Sequence, residues 1–115
     1  MDDSILTTIK KLLGLSEEMT QFDTDIILHI NANLITLNQI GVGPSEGYTI
    51  TDSSDTWGDF IEGNNALYEP VKAYIYLRVR MIFDPPTNSF VFDAMKNQAA
   101  EYEWRLRLTA DQEKE

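Results

Sequence analysis

Hydrophobic residues spaced three and four positions apart predict two amphipathic helices in the first half of the chain. The first begins after Ser4, whose hydroxyl suits an N-cap, and ends near Leu13. The second begins at Asp23, predicted as its N-cap, and ends at Gly41. The apolar stripe of the second helix comprises Ile26, Ile27, Ile30, Leu34 and Leu37, with Ile35 widening it.

A third helix is predicted from Leu67 or Pro70 to Phe83. Apolar residues occur on more than one side of it, which is typical of the central helix of a bundle. We expect three of its side chains to be largely buried: Tyr74, Ile75 and Ile82. The sequence Asp84-Pro85-Pro86 ends the helix, because each proline restrains the residue before it and cannot donate a backbone hydrogen bond.

A last helix is predicted from Phe90 to about Leu108, with Ser89 as its N-cap. Its stripe comprises Val91, Ala94, Met95, Tyr102 and Leu106. Glu101 with Arg105 and Glu103 with Arg107 have the spacing of ion pairs along one helix. The sequence therefore predicts a single helical domain over residues 1–108 and a fraying polar tail over residues 109–115.

The segment between the second and third helices is less regular, with glycines and a proline over residues 41–55. Tyr48–Thr51 has the character of a brief extended segment, which is marginal without a partner strand. Asp55 or Thr56 can then cap a short turn that carries Trp57. The predicted fold class is mainly α: a small bundle of about four helices with one irregular loop that can hold a short extended segment.

Composition supports one folded domain and removes several kinds of chemistry. The chain has 115 residues, of which 43% are hydrophobic, and no cysteine. This excludes disulfides, thiolate nucleophiles and cysteine metal sites. No apolar run is long enough to span a membrane, and the acidic start Met1-Asp2-Asp3-Ser4 is unlike a secretory signal.

Negative charge is concentrated in the middle of the chain. Between Leu12 and Val71 there are ten acidic residues and no Lys or Arg, whereas the net charge of the whole chain is −10. Nonspecific duplex binding needs a basic surface, so this distribution argues against it. Two interpretations remain: a solvated surface that keeps the protein soluble, or an acidic face turned toward a basic partner or toward DNA that must not stick.

Residues that could carry out catalysis are few. His29 is the only histidine, no serine lies in a nucleophile-elbow motif, and phosphate-binding glycine motifs are absent. The acidic loop starting at Asp52 fails the calcium-loop spacing, because its sixth position is Trp57 and its twelfth is Gly63. We therefore predict no enzyme activity, no metal and no cofactor.

Several large aromatic and arginine side chains are instead candidates for contacts with partner proteins. Trp, Tyr and Arg concentrate in binding hot spots, and an extended loop segment can pair with a neighbour. The alternative for the tryptophans is a place in the core. The candidate interface residues are Tyr48, Ile50, Trp57, Tyr76, Arg80, Trp104 and Arg105.

The chain resembles the small head–tail connector proteins of long-tailed phages, from about Thr20 to Leu108. None of the matching motifs is catalytic. They are Trp57-Gly58-Asp59-Phe60, Tyr74-Ile75-Tyr76-Leu77-Arg78-Val79-Arg80, Phe83-Asp84-Pro85-Pro86, Ser89-Phe90-Val91 and Glu101-Tyr102-Glu103-Trp104-Arg105-Leu106.

The resemblance implies a structural virion protein at the head–tail interface, made in the cytoplasm of a bacterial host. Such subunits form a homo-oligomeric, dodecameric ring beneath the portal protein of a DNA-filled capsid. The ring lengthens the DNA channel and presents a platform for the stopper or tail-completion protein, while DNA passes without specific binding. No membrane is involved. The segment after Leu108 is short for an arm that penetrates the portal.

Two other classes of function stay open at this point. The acidic middle also suits a DNA mimic or regulatory protein that occupies the basic surface of a partner. Such a protein should stay small and bind in a salt-sensitive way. A small enzyme or metal-binding regulator is the third class, and the residue inventory gives it little support.

Overall fold

The computed structural model describes residues 3–113; Met1, Asp2, Lys114 and Glu115, which belong to the acidic start and the predicted tail, lie outside this range. Within it the chain forms five α-helices, a single 3₁₀ turn at Asn65–Leu67 and no strand. This confirms the mainly α prediction with one irregular loop. The helices are α1 (Ile5–Leu12), α2 (Asp23–Gln39), α3 (Trp57–Ile61), α4 (Tyr68–Phe83) and α5 (Ser89–Glu113).

The start of α1 is held by a side-chain cap and by backbone hydrogen bonds to the irregular loop. The Ser4 hydroxyl accepts a hydrogen bond from the Thr7 backbone N–H at 3.1 Å, which confirms Ser4 as the N-cap. The Ile5 backbone N–H donates to the Asp55 carbonyl at 3.0 Å, and Ser4 forms an isolated antiparallel bridge with Thr56. The irregular loop is thereby attached to the beginning of the chain.

The predicted central position of the third helix is confirmed, because α4 packs against α1, α2 and α5. Tyr74 and Ile75 are fully buried, as expected. The main core also takes side chains from every other helix, and its largest fully buried members are Trp57, Tyr74, Phe60, Ile5, Ile9, Ile26, Ile30, Leu34, Leu37, Ile50, Ile75 and Leu106.

The prediction that Ile82 is buried was wrong. Its side chain is 60% exposed. Ile82 lies in the last turn of α4 and lines an open groove with Met81 and with Phe92 of α5. The expected loss of roughly 2–5 kcal/mol for truncating a buried isoleucine therefore does not apply to this residue.

Other side chains assigned to apolar stripes also lie outside the core. Ile35 on α2 is 51% exposed, and Val91 and Ala94 in the first turns of α5 are exposed. Met95, Tyr102 and Leu106 do pack in the two hydrophobic clusters. The covered face of each helix is thus narrower than its apolar stripe.

Asp23 does not cap α2, contrary to prediction. The helix begins with Phe22 in the cap position and without a side-chain cap, while the Asp23 carboxylate lies 2.8 Å from the Lys10 ammonium. Lys10 is 3% exposed and also donates to the Glu17 carbonyl at 3.1 Å. A largely buried ion pair therefore connects α1 to the start of α2.

Both ends of α5 differ from the predicted ones. The Asn88 side-chain oxygen, in place of Ser89, accepts from the backbone N–H groups of Phe90 at 2.8 Å and Val91 at 3.2 Å. At the other end the helix continues through the described part of the predicted tail to Glu113. Ala110 is buried in the main core, which explains why the chain stays helical beyond Leu108.

Candidate assembly surfaces

Tyr76 and Arg80 form a linked pair on α4. The Arg80 Nη1 group donates to the Tyr76 hydroxyl at 2.8 Å, and this hydrogen bond is the main cause that raises the pKa of Arg80. Both side chains are half-buried. The Arg80 Nε atom is buried, and no acceptor for it lies among residues 3–113. Arg80 is thus positively charged and retains an unused donor.

Trp104 and Arg105 lie on the exposed side of α5. Trp104 is 60% exposed, and the Arg105 guanidinium pairs with Glu101 one turn earlier. The pair between Glu103 and Arg107 is present at 3.7 Å. Both ion pairs were predicted from the four-residue spacing. Glu103 also accepts a hydrogen bond from the buried Tyr74 hydroxyl at 2.8 Å, which attaches this part of α5 to α4.

Tyr48 lies at the boundary between the irregular loop and the core. Its ring is half-buried and its centroid lies 5.7 Å from that of Phe60. Burial, together with the nearby carboxylates of Asp55 and Asp59, raises the pKa of Tyr48 to about 12. One side of this tyrosine remains accessible, in a groove that it shares with Ile35.

Ile50 is held inside the subunit by an asparagine from α2. The Ile50 N–H donates to the Asn31 side-chain oxygen at 2.7 Å, and the Asn31 amide donates back to the Ile50 carbonyl at 3.0 Å. These are the two bonds that a partner strand would supply to one residue. The Ile50 side chain is 2% exposed. The backbone partner of Ile50 therefore lies in the same chain, and residues 48–51 form no strand.

Trp57 occupies the centre of the core at the start of α3. It is fully buried, its indole N–H donates to the Thr8 hydroxyl at 3.1 Å, and its ring meets Tyr68 edge-on at 6.0 Å. Ile50 and Trp57 consequently belong to the interior of the folded subunit. The accessible candidates are the α4 pair Tyr76 and Arg80, the α5 pair Trp104 and Arg105, and Tyr48.

The acidic segment is compensated at its two ends only. Lys10, Lys11 and Lys72, which flank it in sequence, pair with Asp23, Glu17 and Glu69 respectively. The acidic residues in between accept hydrogen bonds from the loop or face solvent. Asp55 accepts from the Thr51 N–H at 2.7 Å, and hydrogen bonds from Ser54 lower the pKa of Asp52. The centre of the segment thus contributes acids but no bases of its own to the surface.

Two exposed apolar sites were not identified from the sequence pattern. Leu28 on α2 is 64% exposed, and Phe90 at the start of α5 is 83% exposed. Leu28 lies on the side of α2 opposite to Ile26 and Ile30. Its position in the helical repeat could therefore have indicated that it is exposed.

The described residues form an open groove but no cluster suited to a metal ion. Residues 3–113 contain no group of three or more His, Asp or Glu side chains arranged to hold a metal ion. An open groove of about 570 Å³ lies between α1 and the start of α4, with Lys11, Tyr68 and Lys72 among its lining residues. No helix in this part of the chain is long and apolar enough to cross a membrane.

Comparison with known proteins identifies the family. A search of curated proteins and a search of solved structures found no match. A family model described as "Phage connector protein" matches residues 5–113, which includes all five helices. The family is one of structural proteins of the virion, at the connection between head and tail. The chain belongs to the phage connector protein family.

Proposed function

We propose that this connector subunit assembles into a dodecameric ring between the portal protein and the stopper or tail-completion protein, and that the ring extends the DNA channel. The observation that carries the proposal is the amount of apolar surface that the monomer leaves uncovered. Nine large hydrophobic side chains are exposed among residues 3–113. Four of them are grouped on two helix faces, Leu28 with Ile35 on α2 and Trp104 with Leu108 on α5, and grouped apolar side chains favour partner contacts.

The accessible interface candidates fit contacts between neighbouring subunits. A ring needs one surface to bind a different surface of the next copy. The side chain of Arg80 is half-buried and positively charged, and the acidic segment of a neighbour can supply a carboxylate to its accessible part. Trp104, Arg105, Tyr76 and Tyr48 are the other contact residues that we propose for this interface.

The charge distribution fits a DNA conduit. A channel wall should not bind phosphate groups, and the segment between Leu12 and Val71 has no Lys or Arg. The proposal therefore places part of this segment toward the channel, where it repels DNA during passage.

Charge reversal at Arg80 tests the proposal. We expect Arg80→Glu to remain folded by circular dichroism but to form no ring when mixed with the portal protein, as seen by electron microscopy and hydrodynamic mass. Lys11→Glu is the matched control, because Lys11 is exposed on α1 and pairs only loosely, at 3.8 Å from Glu17. It should form rings normally. Normal rings from folded Arg80→Glu would refute the interface, and no ring from the wild type would refute the connector ring itself.

The acidic segment favours a second candidate, a protein that mimics DNA and occupies a basic surface. The same mixing experiment separates the two. A DNA mimic stays small in the presence of the portal protein, and its binding to a basic partner weakens as salt is raised.

A further inference from the structure

The outward side of α2 carries an apolar stripe that the described residues 3–113 leave mostly uncovered. Leu28 and Ile35 are 64% and 51% exposed, and Ala32 between them is also exposed. Their spacing of four and three residues places them on one face of the helix. The buried residues Ile30 and Leu37 lie on the other face. Such a stripe is the usual signature of a face that packs on another helix.

A second uncovered apolar site lies near the end of α5. Trp104 is 60% exposed and Leu108, one turn later, is 41% exposed. The exposed Ala100 precedes Trp104 by one turn on the same side. Leu106 and Ala110, on the inner side of α5, are buried in the core. Tryptophan is the residue type most enriched in binding hot spots, together with tyrosine and arginine.

The two sites are separated by the architecture of the subunit. Both α2 and α5 pack on α4, whereas α2 and α5 make little contact with each other. Their outward faces are therefore separate surfaces, each on the side of its helix that points away from α4. A subunit in which one apolar surface binds a different apolar surface of the next copy associates head to tail. This arrangement can close into a ring.

Acidic residues border the α2 stripe, and two arginines lie beside the α5 site. The α2 stripe has the exposed Asp25 near Leu28 and Glu46 in the groove beside Ile35, and no base occurs in this segment of the sequence. Arg105 and Arg107 are exposed and lie between Trp104 and Leu108 in the sequence of α5. These arginines pair with Glu101 and Glu103, and exposed ion pairs of this kind contribute little stability, so replacing one of these acids by an acid of a neighbour costs little.

We propose that the α2 stripe of one copy (Leu28, Ala32, Ile35) packs against the α5 site of the next copy (Ala100, Trp104, Leu108). This inference rests on the proposed ring and names the surfaces that join its subunits. The occupant of each surface is a second copy of this chain, since apolar contact and opposite charge are both available within one sequence.

Cysteine cross-linking tests the proposal directly, because the chain has no cysteine of its own. Ala32→Cys and Ala100→Cys are conservative changes at exposed positions, and Ala66→Cys is a control at an exposed position in the 3₁₀ turn. Each variant is treated with a flexible bismaleimide, in solution and after mixing with the portal protein. The Ala32→Cys/Ala100→Cys double variant should give a ladder of multimers. A mixture of the two single variants should stop at dimers, and the Ala32→Cys/Ala66→Cys pair should give no ladder.

Other cross-linking patterns would overturn the proposal. Homodimers from either single variant indicate a symmetric contact between identical faces. Wild-type rings combined with no ladder from the Ala32→Cys/Ala100→Cys variant refute these surfaces while leaving the ring proposal intact. A ladder in solution without rings on the portal protein supports the surfaces and refutes the ring. Absence of both refutes both.

A second variant removes the apolar contact without touching the core. Leu28→Asp/Ile35→Asp should melt like the wild type, because both side chains are mostly exposed. Assembly should weaken by about tenfold or more, the effect of losing one hot-spot contact. Unchanged assembly of this variant would contradict the role of the α2 stripe.

Discussion

Asn31 takes the place of a neighbouring strand. The Tyr48–Thr51 segment needs partners for its backbone, and the Asn31 amide supplies both a donor and an acceptor to Ile50. An asparagine side chain can do this because its amide presents the same two groups as a peptide unit. One polar side chain on α2 thereby places Ile50 in the core of its own subunit.

Removing this asparagine should destabilise the fold. Asn31→Ala leaves the Ile50 N–H and carbonyl without partners at a buried residue, and each such group costs about 1–3 kcal/mol. Chemical denaturation measures the loss. Asn31→Asp keeps the acceptor but places a carboxylate oxygen against the Ile50 carbonyl, so it should also destabilise the fold. Equal stability of Asn31→Ala and the wild type would contradict this role.

Gly43 is required by space as well as by backbone conformation. Its φ is +92°, and a Cβ atom there would lie 2.4 Å from a ring carbon of the buried Phe60. Gly47 has nearly the same φ, +93°, but a Cβ atom there would meet nothing within 4 Å. Comparing Gly43 with Gly47 therefore distinguishes the cost of the left-handed backbone conformation from the cost of a collision with Phe60.

We predict that Gly43→Ala is more destabilising than Gly47→Ala. The left-handed conformation costs an alanine about 1–2 kcal/mol at either position, and overpacking adds about 1–3 kcal/mol at Gly43 alone. The difference between the two denaturation midpoints measures the collision with Phe60. Equal losses at both positions would mean that Phe60 moves aside without cost.

At the scale of elements, short polar side chains decide where helices begin. Asn88 accepts two backbone N–H groups at the start of α5, whereas Ser89, the predicted cap, is already the first helical residue. Asparagine and serine are both good caps, so two adjacent candidates cannot be ranked by residue type alone.

The assignment of the cap is testable with two neighbouring alanines. Asn88→Ala should lower the free energy of unfolding by about 0.5–2 kcal/mol, since it leaves the first N–H groups of α5 without their acceptor. Ser89→Ala should have a smaller effect, because serine contributes no cap bond at that position. A thermal melt of each variant checks this, and the reverse order would restore Ser89 as the cap.

At the scale of the whole molecule, two tyrosines with raised pKa values predict a loss of stability at high pH. Burial, followed by the hydrogen bond to Glu103, raises the pKa of Tyr74 from 10.0 to about 12. The pKa of Tyr48 is also raised, to about 12. Both hydroxyls are therefore neutral in the folded protein at pH values where they already ionise in the unfolded chain.

Stability should consequently fall between about pH 10 and pH 12. The contribution of each tyrosine is complete below its unfolded pKa and is lost as the pH rises through its folded pKa. Denaturation across this range, with tyrosinate absorbance, measures the effect. Tyr74→Phe should show a shallower decline, because phenylalanine cannot ionise. A decline of the same steepness in this variant would exclude Tyr74 as a cause.

The sequence by itself determined the helices, the central position of α4 and the resemblance to head–tail connector proteins. Helical periodicity, prolines and glycines act over a few residues, so they can be interpreted without the fold. The first N-cap at Ser4 and the ion pairs along α5 were predictable for the same reason.

Only the tertiary structure decided which apolar and aromatic side chains are covered. Trp57 and Ile50 are interior, while Ile35, Ile82 and Trp104 face outward, although all five are large and apolar. Periodicity gives the direction of a side chain from its own helix, but coverage depends on where the neighbouring helices begin, end and cross. That arrangement is set by contacts between residues distant in sequence, and it leaves on α2 and α5 the surfaces that we propose to join one subunit to the next.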